Sequence, residues 1–402
     1  MNTIVCYDDE AARGFEPFAL TRPVSELRAG TELVRRRWEV ALQGEATGFV
    51  GAPHLADFDE LDAPPMTGGD IPAGTIVVQS RCAVALSEAS PSADVWTCHG
   101  RIAAVRLTRA MSPTTLRDGR ATLESLVPAG SATTEIAGWW MDEVWDLIRH
   151  LSEMLASDIT QRVETLDTVS AAEAGGAIIG AYPARVERGA SIDPYVVFDA
   201  SVGPVLVRRG ATIAPFSRLV GPCYVGEEST VGGGRVGGSA IGEQCRVHGE
   251  VSTTIFLGHA NKSHDGFVGH SYLGRWTNLG ASTVTSNLKN TYGSVALWTP
   301  RGMRDTGMQF LGTFFGDHAK TAIGTRLTTG GVIGSGANVF APSMTPKVVA
   351  PFSWGGGADA SVYDIDRFLR VAERVMSRRQ VTLSDRARRW LEAAYAARWQ
   401  VA

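Results

Sequence analysis

The sequence predicts two architectures in one chain: an α/β unit on the N-terminal side, then an all-β solenoid of hexapeptide repeats followed by C-terminal helices. Three observations carry this. Apolar residues recur every six positions through the second half, glycine commonly follows them, and short β-branched runs alternate with helix-like segments in the first half.

The six-residue beat runs through Val186, Ile192 and Phe198, then Val207, Ile213, Leu219, Val225 and Val231, then Ile241 and Val247. It continues at Ile255, Phe267, Leu273 and Leu279, and again at Phe315, Leu327, Ile333 and Val339 with Thr321 between. Three hexads make one triangular coil, and stacked coils share one apolar axis. Glycine after the apolar residue, as in Val225-Gly226, Ile241-Gly242 and Ile333-Gly334, suits a sharp corner where a Cβ would clash. A sandwich would space its strands more widely, and helices would beat at 3.6 residues.

In the first half, Thr3 to Tyr7 reads as a buried strand ending at Asp8 and Asp9, where a nucleotide-binding α/β unit holds phosphates. No glycine-rich cradle follows, so Arg22 and Arg28 are the candidates for a nucleotide phosphate. Residues 31–42 read as a helix whose three arginines, Arg35 to Arg37, form a solvated face. Residues 76–85 and 101–107 read as buried strands. From Ile136 to Thr165, Trp140, Val144, Ile148, Leu151 and Leu155 fall on one helical face. The expected organisation is therefore 1–135 α/β domain, 136–165 helical connector, 166–357 β-helix and 358–402 helical cap. In the cap, Asp364 starts one helix and a second runs from Ser384 to Ala396.

A chain of 402 residues with 44% hydrophobic content can bury a large core. Its net charge of -4 argues against sequence-independent nucleic-acid binding, which needs concentrated positive charge. Small molecules are the expected partners. Five scattered cysteines without a CxxC pair indicate neither a disulfide framework nor a thiolate zinc site. With no leader at the start and no apolar run of about 18 residues, a cytoplasmic location without membrane association is expected.

The beat breaks at 253–265 and 290–308, and insertions in solenoids often build or cover a site. Around the first break, residues 255–287 gather His259, His264 and His270, Lys262, and Asn261, Asn278 and Asn287. His264 is the candidate general base, because an imidazole can take a proton from an attacking amine near neutral pH. Arg235 and Lys262 are candidates for a sugar phosphate on charge alone.

The run KSHDGFVGHSYLGRWTNLGASTVTSN resembles the acetyltransferase half of the bifunctional enzymes that acetylate glucosamine 1-phosphate and uridylylate the product. The matching positions are His264, Phe267-Val268-Gly269, Asn278-Leu279-Gly280-Ala281 and Asn287. The resemblance implies a left-handed parallel β-helix, a homotrimer with sites between subunits, and acetyl-CoA as donor. It makes His264 the base, Asn278 and Phe267 substrate contacts, and Ala281 and Asn287 part of the donor and active-site wall. The whole chain is similar to a bacterial sugar nucleotidyltransferase-like group, through residues 20–28 (LTRPVSELR), His264-Asp265-Gly266-Phe267, residues 285–290 (TSNLKN) and residues 352–356 (FSWGG).

That group implies a nucleotidyltransferase-like N-terminal domain acting on a sugar 1-phosphate with Mg²⁺, and a sugar phosphate or nucleotide sugar as ligand. Two departures stand out. Phe267 and Leu288 replace tyrosines, and the Ala-Gly-x-Gly-Thr-Arg loop is absent with no aspartate assignable to Mg²⁺. Two alternatives compete with an N-acetyltransferase. One is a zinc hydratase similar to the trimeric β-helix carbonic anhydrases, using His259 and His264 with His248, His270 or His318. The other is a non-catalytic sugar-nucleotide-binding scaffold.

Overall fold

The computed structural model describes residues 1–89, 93–340, 344–357 and 360–400. The chain divides into two compact units, Met1–Leu147 with Leu383–Ala397, and Ile148–Thr382 with Arg398–Ala402.

In the first unit a six-stranded sheet runs in the order β2-β1-β3-β5-β4-β6. Its strands are β1 (Asn2–Tyr7), β2 (Gly44–Val50), β3 (Ile76–Gln79), β4 (Val95–Cys98), β5 (Arg101–Arg106) and β6 (Thr133–Glu135). β1 pairs in parallel with β2 on one side and β3 on the other, so the strand order reverses at β1. Val5, Tyr7, Val50, Val77 and Val105 share one core with Leu116 and Leu123.

Helix α1 spans Val34–Leu42. Its arginines are not a solvated face. Arg36 is exposed, but Arg35 and Arg37 are buried. Arg35 meets Glu26 at 2.5 Å, and Arg37 donates to the carbonyls of Ala29 and Val84, each at 2.8 Å. Intrahelical spacing shows only that the three point apart. The buried polar segment 21–29 supplies partners that no local pattern reveals.

The connector begins later than its periodicity suggests. Gly138–Trp140 is a strand paired with Cys82–Val84, and helix α2 covers Leu151–Thr165. α2 belongs to the second unit and packs its buried Met154, Leu155 and Ile159 toward strands 205–207 and 223–225.

The second unit is a left-handed parallel β-helix. Among the described residues ten strands stack in one sheet and fourteen in a second, while Val284–Thr285 pairs with Arg326–Leu327 apart from both. Antiparallel strands close both ends, Thr168–Ser170 against Ala184–Glu187 and Ser361–Val362 against Ser353–Trp354. One inward column runs Val186, Val207, Val225, Ile241, Phe256, Leu273, Phe315, Ile333, Val349. A second runs Phe198, Leu219, Val236, Val251, Val268. The beat thus slips by one at Ile255 and Phe267, because Phe256 and Val268 face the axis instead. Shortened coils after Val231 cause the slip.

The middle of the ten-stranded face does not meet solvent. Its outward residues Leu206, Tyr224, Tyr272, Phe314 and Val332 are buried. The insertion at 290–308 forms a hairpin of β-strands 296–299 and 302–305, whose first strand packs against Gly331–Ile333. It folds onto its own solenoid, with Val295 and Leu297 buried and Trp298 against Trp399 at 4.2 Å.

The C-terminal helices are not a joint cap. α3 (Ile365–Ser377) crosses the coils from the last turn back: Phe368 meets Phe352 at 5.0 Å, and Arg379, just beyond its end, donates to Asn261 at 2.7 Å. α4 (Asp385–Ala396) belongs to the first unit, where Trp390 packs edge-on against Phe58 at 5.0 Å.

Candidate functional site at the His264 corner

Residues 261–262 form β7 and 267–269 form β8, and His264 lies in the corner between them. The next coil repeats the layout, with Asn278 beside Asn261 and the Ser282 amide bonded to the carbonyl of Asp265. Ala281 therefore sits one coil above His264. Gly266 makes the approach possible: its φ is +128°, and a Cβ there would meet the Thr283 carbonyl at 2.3 Å. His264 and Asn278 are exposed, Phe267 and Ala281 half-buried.

Lys262 is not open to a ligand. It is 2% exposed and occupies the inward column, opposite Val247. Its ammonium donates to the carbonyls of His248 at 2.7 Å and His264 at 2.5 Å. Burial pulls its pKa down to about 8. Lys262 is thus an internal strut of the corner, a role that charge alone could not distinguish from phosphate binding. Arg235 is exposed on the column that continues through Glu250 to Phe267.

A second histidine shares the corner. His248 Nδ1 lies 2.8 Å from the Gly232 carbonyl and Nε2 lies 3.1 Å from Asp265. Both ring nitrogens thus face oxygen acceptors.

Asn287 lies at the far end of β8. Its Nδ2 donates to His270 Nδ1 at 2.9 Å, and the His270 ring stacks on Phe310. Burial pushes His270 down to about 4, so the ring is neutral near pH 7, and the Asn287 amide donating to Nδ1 places the ring proton on Nε2. His264 precedes β8 and Asn287 lies by its other end, and the Phe267 ring and the Asn287 amide meet over Gly269. His270 as the residue that orients Asn287 was missed in sequence, although its six-residue offset from His264 marks the next corner.

The histidines do not converge on a metal. His259 is buried, with Arg275 3.1 Å from its Nδ1 and Trp276 against its ring. Among the described residues no group of three or more His, Cys, Asp or Glu could hold a metal ion. Within one chain, the histidines proposed for zinc do not form such a group.

In the first unit, the nucleotide candidates are also interior. Arg22 is 1% exposed and pairs with Glu60 at 2.8 Å, and Arg28 is buried with a hydrogen bond to the Thr31 carbonyl. Ligands of such sheets bind where the strand order reverses, here at the end of β1. There Asp9 accepts from Arg81 at 2.6 and 2.8 Å and from Gln79 at 3.0 Å. Asp8 is buried and accepts the Val24 amide at 3.0 Å. Desolvation raises Asp8 to about 6 against the pull of Ser80 and that amide. Asp9 is thus held by a guanidinium and Asp8 by a backbone amide.

The fold is an α/β unit followed by a hexapeptide-repeat β-helix, an architecture consistent with acyl-transfer chemistry. Residues 4–165 match the family described as sugar nucleotidyl transferase. A 107-residue stretch is 36% identical to the Bifunctional protein GlmU of Jannaschia sp. (strain CCS1), covering 26% of this chain and 23% of that protein. The chain carries a sugar-nucleotidyltransferase-like domain related to GlmU, and the match spans under a quarter of that relative's length. Among the described residues no helix is long and apolar enough to cross a membrane.

Proposed function

We propose that the β-helix is an N-acetyltransferase that uses acetyl-CoA to acetylate a sugar phosphate, with its sites formed between subunits of a homotrimer. The α/β unit would be a degenerate nucleotidyltransferase domain that contributes binding of a sugar phosphate or nucleotide sugar. The observation that carries the reading is the exposed His264 imidazole on a corner fixed from inside by Lys262, with Asn278 on the adjoining face.

Acetyl-CoA would supply an acyl group activated as a thioester. His264 takes the proton of the acceptor amine as its nitrogen attacks the thioester carbonyl, and returns it to the leaving thiolate. One Asn287 N–H is committed to His270, which leaves the other to donate to the developing oxyanion. Phe267 offers an apolar wall without a hydroxyl.

With His264 before β8 and Asn287 by its other end, the proposed reaction centre takes its Asn287 from a second subunit. Exposed apolar residues support such an assembly: Tyr195 and Phe216 stack at 5.6 Å, and Ile323 is 79% exposed. The middle of the ten-stranded face is already covered, so the other faces would meet.

Isotope-labelled acetyl transfer from acetyl-CoA to glucosamine 1-phosphate and other amino-sugar phosphates tests the reading. His264→Ala should lower the rate about a hundredfold or more. Wild-type protein that acetylates no acceptor in the panel would leave a binding scaffold instead.

A further inference from the structure

The last coil carries a groove that the acyl-transfer reading does not use. It has a volume of about 350 Å³, at the lower end of ligand cavities, and is lined by Trp354, Val362, Tyr363, one face of α3 and Asp364, whose carboxylate caps that helix by accepting the Arg367 amide. From α3 come Arg367, Arg370 and Arg374, three and four residues apart and therefore on one helical stripe. All three are exposed, and among the described residues none pairs with a carboxylate. Like charges at this spacing repel, and a bound anion would relieve the repulsion.

The opposite wall is aromatic. Trp354 is backed by Tyr363 at 4.6 Å and by the edge of Phe340 at 5.3 Å, which fixes its ring while 41% of the residue stays exposed. Val362, 49% exposed, extends this apolar floor. A held indole facing a row of guanidiniums has two complements in one molecule: a flat ring to stack and a phosphate chain to bridge. Seven residues of helix spread the arginines over about 10 Å, enough for several phosphate oxygens rather than one.

We propose that this groove binds a nucleotide phosphate, its base on Trp354 and its phosphates on Arg367, Arg370 and Arg374. The nucleotide is either free or the end of a larger cofactor. This site is distinct from the His264 corner, and it stands whether or not acetyl transfer occurs.

Calorimetric titration of the full chain with ADP, with 3′,5′-ADP and with inorganic pyrophosphate tests it. Arg370→Gln/Arg374→Gln should weaken the preferred nucleotide about tenfold or more, through surface positions that leave the fold intact. Trp354→Ala should weaken the nucleotide but not pyrophosphate. Preference for ADP assigns a free nucleotide, and preference for 3′,5′-ADP assigns the end of a cofactor. Nucleotide affinity unchanged in the double variant, no nucleotide binding, or equal loss of nucleotide and pyrophosphate in Trp354→Ala would each overturn the proposal.

Discussion

Lys262 donates a hydrogen bond from its ammonium to the carbonyl of His264, two residues along the chain, from a position inside the prism. The same ammonium reaches the carbonyl of His248 on the coil below, so one buried charge clamps two successive corners. Burial lowers its pKa from 10.5 to about 8. In the unfolded chain the lysine keeps its proton to the ordinary lysine value, whereas the folded protein releases it near pH 8. Between these values the unfolded state holds more protons, so stability rises with pH, and below about 8 the penalty is fully present.

Lys262→Met should therefore stabilise the protein below pH 8, by on the order of 3 kcal/mol before the lost clamp is counted. It should also reduce the upward slope of unfolding free energy from pH 8 to 10. Lys320, lowered by burial to about 8, adds the same sign and should leave a residual slope. Urea unfolding across that range checks both, and an unaltered slope would show that Lys262 does not titrate in the folded state.

Asp8 should respond in the opposite direction. Its carboxyl is raised from 3.8 to about 6 by burial, so the folded state binds the extra proton between these values. Stability falls as pH rises through that window, and the cost persists above it. Asp8→Asn keeps an acceptor for the Val24 amide and should stabilise the first unit at pH 7 by on the order of 3 kcal/mol. The gain should vanish near pH 4. Thermal unfolding at pH 4 and 7 measures it, and an equal effect at both would exclude titration as the cause.

Phe368 holds α3 to the solenoid. It is 2% exposed and meets His318, Phe352 and Tyr363 at 5.6, 5.0 and 6.0 Å. Phe368→Ala should cost about 3 kcal/mol. Hydrogen exchange should quicken across residues 365–377 while the central coils stay protected. Uniform loss of protection would mean that α3 and the solenoid unfold as one.

The solenoid was legible in sequence because its signal is periodic and each inward position is chosen by the same apolar axis. Val207, Ile213 and Leu219 are each read correctly without knowing their neighbours. The failures lie where a side chain's role depends on another coil or a distant segment. Lys262 looks like a surface charge until Val247 places it inside, and Arg37 looks solvated until Val84 supplies its acceptor. The hairpin at 290–308 was legible as an insertion but not in its direction, since its apolar residues could cover its own coils or another subunit. At the candidate site, the identity of His264 and Asn287 was readable from the motif, whereas their separation across β8 required the corners to be counted in space.

That separation yields the sharpest test of the assembly. If each reaction centre takes His264 from one subunit and Asn287 from the next, His264→Ala and Asn287→Ala homotrimers are both impaired for different reasons. Mixing the two chains before assembly creates interfaces in which an intact His264 faces an intact Asn287. Every mixed trimer holds one such centre among its three, so activity should recover to roughly a third of wild type. Centres built within one chain would carry a lesion in every subunit, and mixing would restore nothing. Tagged chains purified sequentially ensure that only mixed oligomers are assayed, with labelled acetyl transfer as readout. His270→Ala, which frees the Asn287 amide from its partner, should group with Asn287→Ala: it should be rescued by mixing with His264→Ala chains and not by mixing with Asn287→Ala chains.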